Sequence, residues 1–437
     1  MRFAFRAIIV FLACTAGLLR AQSPPPGSLA PVVDTVLVSG NSTTDSDIIL
    51  REMSLRKDSL ITPEKVRYDR DRIYSLRLFT KVDLVYDGAS RRTPLLVMVR
   101  ERWYIFPVPM FGFRDRDWKK PYYGLGFLHD NFRGMNEKLW AGFSLGYDPW
   151  ASIAYKSPWI SREHNLFFET EISWSKPRNR SLLAQGKGPN YDQLQTNASF
   201  LFGKRLTLFT SLWSRFEYNR LSVNETGAGR TVSPDGVDNL AMLSLGASYD
   251  TRDFKEYATD GTYLNGGLSY GKFFEEKNDY VRLLADARRF IRFSPAASVG
   301  VRAFAEITGG NAVPAYRHVY FGYLERIRGY FYDTIEGENI FGSTVELRIK
   351  LLQPVYIHVS EIPVPQFDTW RIAVDLALFS DGGTVWFRNE NPLDKKFYAG
   401  FGAGIHVELP YSFVVRFDYA FNQSLKGQFI FDLNASI

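Results

Sequence analysis

Five histidines, one cysteine and many charged residues at alternate positions are where this 437-residue chain could do chemistry. Histidine and cysteine at close spacing would hold a metal, and a serine or cysteine beside a base would make a nucleophile. His129, His164, His318, His358 and His406 make no such spacing with one another, with Cys14 or with a close carboxylate pair. A single cysteine supports neither a disulfide framework nor a Cys-based metal site. There is no G-x-S-x-G elbow and no phosphate-binding glycine loop. Gly400 to Gly404 reads GFGAG, but Phe401, Ala403 and Ile405 alternate through it, as in a packed strand. Arg282, Asp286, Arg288, Arg302, Glu306, Glu346, Arg348, Asp375 and His406 fall on the polar side of similar alternations. They are expected to line a wall, the charged ones as ion pairs rather than as a catalytic set. The expectation is a chain that is not an enzyme and needs no catalytic residues, cofactor or metal.

The elements that position these side chains read as strands. From residue 103 to 437, segments about ten residues long alternate apolar with polar, as expected when one face meets lipid and the other a polar lumen. In Ala297 to Thr308 the apolar set is Ala297, Val299, Val301, Ala303, Ala305 and Ile307. In Phe341 to Leu351 the polar face carries Gly342, Thr344, Glu346, Arg348 and Lys350. About sixteen segments are predicted by this periodicity. Their spans are 103–113, 121–130, 137–147, 151–157, 164–175, 190–203, 206–220, 239–251, 261–273, 280–293, 297–308, 339–351, 370–380, 398–409, 412–421 and 427–437.

Aromatic residues make up 16% of the chain, which suits girdles at two membrane interfaces. No stretch beyond the N-terminus approaches the roughly 20 consecutive apolar residues of a membrane helix. A secreted chain can then span a membrane only as a closed barrel that pairs every backbone group. An even strand count puts both barrel ends on one side, and the long connections 176–189, 221–238 and 309–338 on the other. Gly203 to Arg205 and Leu409 to Tyr411 are expected as tight turns on the near side, where the long 352–369 connection breaks the rule. The net charge of +6 is spread along the chain, so no nucleic-acid partner is expected.

Arg2, Arg6, the apolar run Ala7 to Leu19 and Ala21 read as a signal peptide over residues 1–21. A lipoprotein signal at Cys14 is the alternative, although the apolar run continues past it. A proline-rich linker follows at 22–30, then a small α/β domain at 31–102 with the order βααββ. Thr44 is expected to cap its first helix, with Asp47 three residues on. Pro63 after Thr62 starts the second, which carries Val66, Ile73 and Leu76 on about one face. Strands at Lys81 to Tyr86 and Leu95 to Arg100 follow.

This domain resembles a POTRA domain, through VDTVLVSGN, YDRDRIYSLRLFTKVDL and LLVMVRER. The barrel part carries Arg326-Ile327-Arg328-Gly329-Tyr330 in the long loop before its twelfth strand, and Phe379-Ser380-Asp381-Gly382-Gly383 at the end of its thirteenth. These resemble the (V/I)RG(F/Y) loop motif and the aromatic-x-Asp-x-Gly strand motif of the BamA/TamA superfamily. Asp130 to Gly134 (DNFRG), Tyr155 to Trp159 (YKSPW) and Tyr249 to Asp253 (YDTRD) are similar to further turns and strand ends of that family. The resemblance implies a 16-stranded outer-membrane barrel behind one periplasmic POTRA domain. It implies that the loop folds into the lumen, with Arg328, Gly329 and Tyr330 docked on Phe379, Asp381 and Gly383. Hydrophobic alternation, a partly independent check, points Phe379 and Asp381 into the lumen. Planar paired hydrogen bonds between guanidinium and carboxylate would fix the dock, and Gly329 would let the tip turn tightly.

The resemblance further implies an assembly factor. It would receive unfolded outer-membrane proteins and insert them at a seam between the first and last barrel strands. Pro107 and Pro109 should weaken that seam, and Gly427 could bend it. The implied partners are unfolded outer-membrane or secreted proteins and the lipid bilayer, with periplasmic chaperones or lipoproteins as further candidates. A dedicated exporter and a passive porin are the alternative readings. Two features depart from the family pattern: a single POTRA domain, and a chain that ends in Ile437 rather than Phe or Trp.

Overall fold

The protein was analysed as a computed structural model that describes residues 30–433, except 115–117, 180, 182–191, 225–229, 275–277, 312, 365 and 411–412. The expected signal peptide, the linker up to residue 29 and Ile437 lie outside the described residues.

The small domain folds in the expected order: β1 (Val32–Ser39), α1 (Ser46–Leu50), α2 (Pro63–Tyr74), β2 (Phe79–Val85) and β3 (Arg92–Glu101). Strand β3 is central, parallel to β1 and antiparallel to β2. Alternate residues Leu95, Val97 and Val99 turn one face of β3 toward Ile48, Ile49, Met53 and Ile73. Thr62 caps α2 by accepting from the Lys65 amide, and Pro63 follows at the first turn, where its missing N–H costs nothing. The cap of α1 differs from expectation. Asp45, not Thr44, accepts from the Asp47 amide. The Thr44 hydroxyl instead meets Tyr104 and Asn131, at the junction with the barrel.

Sixteen strands then form one antiparallel sheet. They begin with β4 (Ile105–Phe113), β5 (Pro121–Phe132), β6 (Glu137–Gly146), β7 (Trp150–Ser161) and β8 (Leu166–Ser175). Next come β9 (Gln193–Arg205), β10 (Thr210–Val223), β11 (Val237–Asp250), β12 (Gly261–Phe273), β13 (Asp279–Ser294) and β14 (Ala297–Gly310). The loop after β14 holds a short ribbon, β15 (Val319–Phe321) with β16 (Ile335–Gly337). The sheet resumes with β17 (Asn339–His358), β18 (Thr369–Trp386), β19 (Tyr398–Leu409), β20 (Phe413–Asn422) and β21 (Gly427–Leu433). Among the described residues no helix is long and apolar enough to cross a membrane.

Alternation holds as read. Val301, Ile307, Phe341 and Val345 are exposed on the outer face, whereas Glu346 and Arg348 are buried inside. Several boundaries move, three of them at named motifs or turns. The long 352–369 connection shrinks to 359–368, because β17 continues past bulges between Lys350 and Val355 to pair His358 with Thr369. The Phe379–Gly383 motif lies within β18, which runs on to Trp386, not at a strand end. Gly203 to Arg205 belong to β9, and the turn is 206–209.

The domain sits against the barrel mouth. Its core includes Phe254 and Tyr257 from the β11–β12 connection and Val414 of β20. Ion pairs ring this shared core: Arg77 with Glu256 at 2.6 Å and Arg100 with Asp368 at 2.7 Å. Glu52 joins the two parts most directly. Its carboxylate accepts from Arg72 of α2 and from Arg205 at the end of β9. Burial alone would raise the Glu52 pKa. Arg205, Lys255 and Arg72 outweigh burial and hold it far below the usual carboxylate range.

A depressed folded-state pKa means that this contribution is present above the unfolded value, about 4.3, and is lost only as pH falls through the folded one. The domain is therefore expected to stay seated from pH 7 down through about pH 4, where about half of the surface carboxylates have protonated. Protease cleavage of the Arg102–Tyr104 connection, followed against pH, measures this. Cleavage rising sharply near pH 4.5 would contradict it. Glu52→Gln leaves two arginines facing a neutral amide and is expected to loosen the seat at all pH values, by on the order of 3 kcal/mol.

Candidate functional site

Arg328 begins a single 3-10 turn, Arg328–Tyr330, deep in the loop between β14 and β17. Its side chain is 3% exposed. Nε donates to Asp381 Oδ2 at 2.7 Å and Nη2 to Oδ1 at 2.8 Å, which is the paired, planar geometry that suits guanidinium and carboxylate. The Arg328 backbone amide adds a third bond to the same carboxylate, at 3.0 Å. Nη1 donates to Glu346 at 2.6 Å, and the guanidinium carbon lies 3.4 Å from the centre of the Phe379 ring. Register explains the convergence. Strands β17 and β18 pair Thr344 with Asp381 and Glu346 with Phe379, so both carboxylates face the lumen one step apart.

The glycines act by close approach rather than by turning. A Cβ on Gly329 would stand 2.6 Å from the Phe421 carbonyl oxygen and 2.8 Å from Gly400 Cα. The loop thus lies directly on the backbone of β19 and β20, which replaces the expected tight-turn role of Gly329. A Cβ on Gly383 would meet the Phe321 ring at 2.4 Å, so this glycine makes room for the loop's own ribbon. Tyr330 donates to Gln423 at 3.1 Å and meets Tyr398 edge-on.

The charge network continues from this point. Arg348 donates to Glu346 at 2.8 Å and to the Ala258 carbonyl at 2.7 Å, next to the seated domain. Arg282 with Glu306, Arg288 and Arg302 with Asp286, and Lys350 with Asp375 make the expected wall pairs. His406 is held between Tyr257 and Asp418. Among the described residues no group of three or more His, Cys, Asp or Glu side chains could hold a metal.

The two end strands carry the second feature. No ladder joins β4 to β21 among the described residues, so each is paired on one side only. Antiparallel residues alternately point their N–H and C=O groups to one neighbour and then to the other. The Tyr104 carbonyl accepts from Asp130, and the Arg114 amide donates to Lys120, so even-numbered residues of β4 face β5. Pro107 and Pro109 are therefore on the free edge. They leave the β4–β5 ladder intact and remove two donors from the unpaired side. On β21 the Lys426 carbonyl accepts from Asn422, so the odd residues Gly427, Phe429, Phe431 and Leu433 face the free edge. Gly427 does not make the expected bend. It pairs with Phe421 in regular register, and a Cβ there would meet the Tyr419 ring at 2.6 Å.

The structure thus brings Arg328, Phe379 and Asp381 together and leaves Pro107, Pro109 and Gly427 on two end strands, each paired on one side only. Sequence reasoning missed Glu346 as the second carboxylate of Arg328, for nothing distinguishes it from other charges on the same strand face. It also missed Gln428 of β21, which donates to the Arg328 carbonyl at 2.6 Å. The three turn-like matches at 130–134, 155–159 and 249–253 prove to be docking points of the small domain. The Gly134 carbonyl accepts from Asp45, the Pro158 carbonyl from Arg51, and the Asp250 and Thr251 carbonyls from Arg72 and Tyr68.

Comparisons with known proteins agree with this architecture. The sequence profile of the Omp85 superfamily domain matches residues 131–436, and a POTRA profile, described as a surface antigen variable number repeat, matches residues 31–102. Among solved structures, BamA from Haemophilus ducreyi lacking POTRA domains 1–3 is 16% identical with a TM-score of 0.54, over 93% of this chain and 84% of that one. CdiB from Escherichia coli is 11% identical with a TM-score of 0.57, over 93% and 75%. CdiB from Acinetobacter baumannii is 14% identical with a TM-score of 0.50, over 93% and 73%. No curated protein matches the chain.

Proposed function

Because the chain belongs to the Omp85 superfamily, which acts in insertion or secretion at the bacterial outer membrane, we propose that it inserts unfolded outer-membrane proteins through the unpaired β4/β21 edge. The small domain faces the periplasm in this reading and receives the client at the barrel mouth. The observation that carries it is the pair of free edges, one of them stripped of two donors by Pro107 and Pro109. An unpaired strand edge is a template for another strand. A barrel meant only to close and conduct has no use for prolines facing its own closure.

Arg328 and its two carboxylates hold the loop inside the lumen and brace β17 to β21 while the edge is open. The β21 edge carries no proline from Gly427 to Leu433, so it offers an incoming strand both donors and acceptors. The β4 edge offers only carbonyls at 107 and 109. Client strands should therefore bond first to β21. A dedicated exporter that passes one substrate through the lumen is the second reading, and the likeness to BamA and CdiB does not choose between them.

Depletion of the protein, followed by mass spectrometry of the outer membrane, separates these readings. Loss of many unrelated barrels is expected. Loss of one secreted or surface protein alone would favour the exporter. An unchanged proteome with reduced solute uptake would overturn both.

A further inference from the structure

Each free edge of the barrel carries a carbonyl that is bonded to a side chain. Tyr332, two residues beyond the Arg328 turn, donates its hydroxyl to the Phe429 carbonyl of β21 at 2.8 Å. Phe429 is an odd-numbered residue, so this carbonyl points to the side where β21 has no partner strand. On the opposite edge the Trp103 indole donates to the Ile105 carbonyl. Ile105 is also odd and also faces the unpaired side of β4. A strand added at either edge would need these acceptors for its own amides.

We propose that Tyr332 and Trp103 are removable caps on the two edges, holding the acceptor that an entering strand must take. This rests on the reading of the edge as the insertion site. The cap on β21 is the more consequential one. Three observations join it to the loop's anchor. The Arg328 carbonyl accepts from Gln428, Phe331 packs with Ile430 of β21, and Tyr332 follows directly. An amide that displaces the tyrosine therefore pulls on the same turn that Arg328 fixes. Both aromatic side chains remain partly open to their surroundings, at 48% exposure for Tyr332 and 44% for Trp103, so neither must leave a packed core to let go. The phenol serves the Phe429 carbonyl only while no strand is present. The carbonyl would otherwise lack a partner.

Tyr332 is thus a positioning residue, and its test separates capping from simple stabilisation. The full-length protein in lipid nanodiscs, with a cysteine introduced at Phe431, is mixed with a synthetic peptide of the sequence Lys426–Leu433 carrying a terminal cysteine. Disulfide capture of the peptide is followed in time. Tyr332→Phe keeps the ring and removes only the donor. It is expected to speed capture about 3- to 10-fold, by the factor that one freed hydrogen bond allows. The loop's protease resistance and the thermal midpoint should stay close to those of the parent. Trp103→Phe frees an acceptor on the other edge, away from the cysteine, and should leave capture at β21 close to that of the parent. Equal capture by the parent and Tyr332→Phe overturns the cap and leaves the insertion reading standing. No capture in either overturns both. A lower midpoint with unchanged capture assigns Tyr332 to stability alone and also overturns the cap.

Discussion

Arg328→Ala is expected to free the loop from the lumen and abolish function while the sixteen strands remain folded. The substitution takes from Asp381 the guanidinium it is paired with and from Glu346 one of its cations, while Arg348 stays with Glu346. Breaking a buried pair from one side costs about 3–5 kcal/mol, because the remaining charge stays where water cannot reach it. Spread over the loop's docking equilibrium, that is about a hundredfold to several thousandfold toward the released state. Arg328→Lys should rescue little. One ammonium cannot give paired bonds to Asp381 while also reaching Glu346 and stacking on Phe379. Asp381→Asn keeps the shape and should fall between the two. Protease cleavage within 323–333 reports release, and complementation of a depleted strain reports function. A loop as resistant in Arg328→Ala as in the parent would show that other contacts hold it.

Joining β4 to β21 by an engineered disulfide is expected to stop insertion completely, with recovery on reduction. One cysteine goes into each strand, and the only natural one, Cys14, falls in the predicted signal peptide. Full activity in the oxidised, joined form would sink the edge mechanism. A gentler version tests the prolines. Pro107→Val with Pro109→Val restores two N–H donors to the free edge without touching the β5 ladder. Two added hydrogen bonds at about 0.5–1.5 kcal/mol each would favour closure by about 1–3 kcal/mol. Insertion is expected to slow roughly 5- to 100-fold, by the same conversion. The direction matters as much as the size, since restoring normal strand chemistry should impair the protein.

Much of the fold was legible because its signals are local. Period-two alternation needs only neighbouring residues, so about sixteen strands could be counted and lipid faces assigned in segments such as Ala297–Thr308 and Phe341–Leu351. The βααββ order of the small domain and the start of α2 at Thr62-Pro63 are local in the same sense. Strand ends were less legible. Alternation does not say where β17 and β18 stop, because they pair beyond bulges that carry no distinct residue pattern. Thr44 and Asp45 look equally able to cap α1, and the choice fell to Asp45 because Tyr104 and Asn131 claim the Thr44 hydroxyl.

The loop motif shows the division within one site. Residue type and family resemblance named Arg328 and Asp381, and alternation aimed Asp381 inward. Glu346 became the second acceptor only through the β17–β18 register, which is a property of two strands and not of either one. Gly329 was read for its backbone freedom and serves instead for its missing side chain, because β19 and β20 press against it. Pro107 and Pro109 were visible as prolines, but which edge they blunt depends on which β4 residues bond to β5. The sequence by itself determined the alternation, the strand count and the chemical partners available. Tertiary structure alone decided which partner each group met, since register, edge and close approach arise only when distant segments are brought side by side.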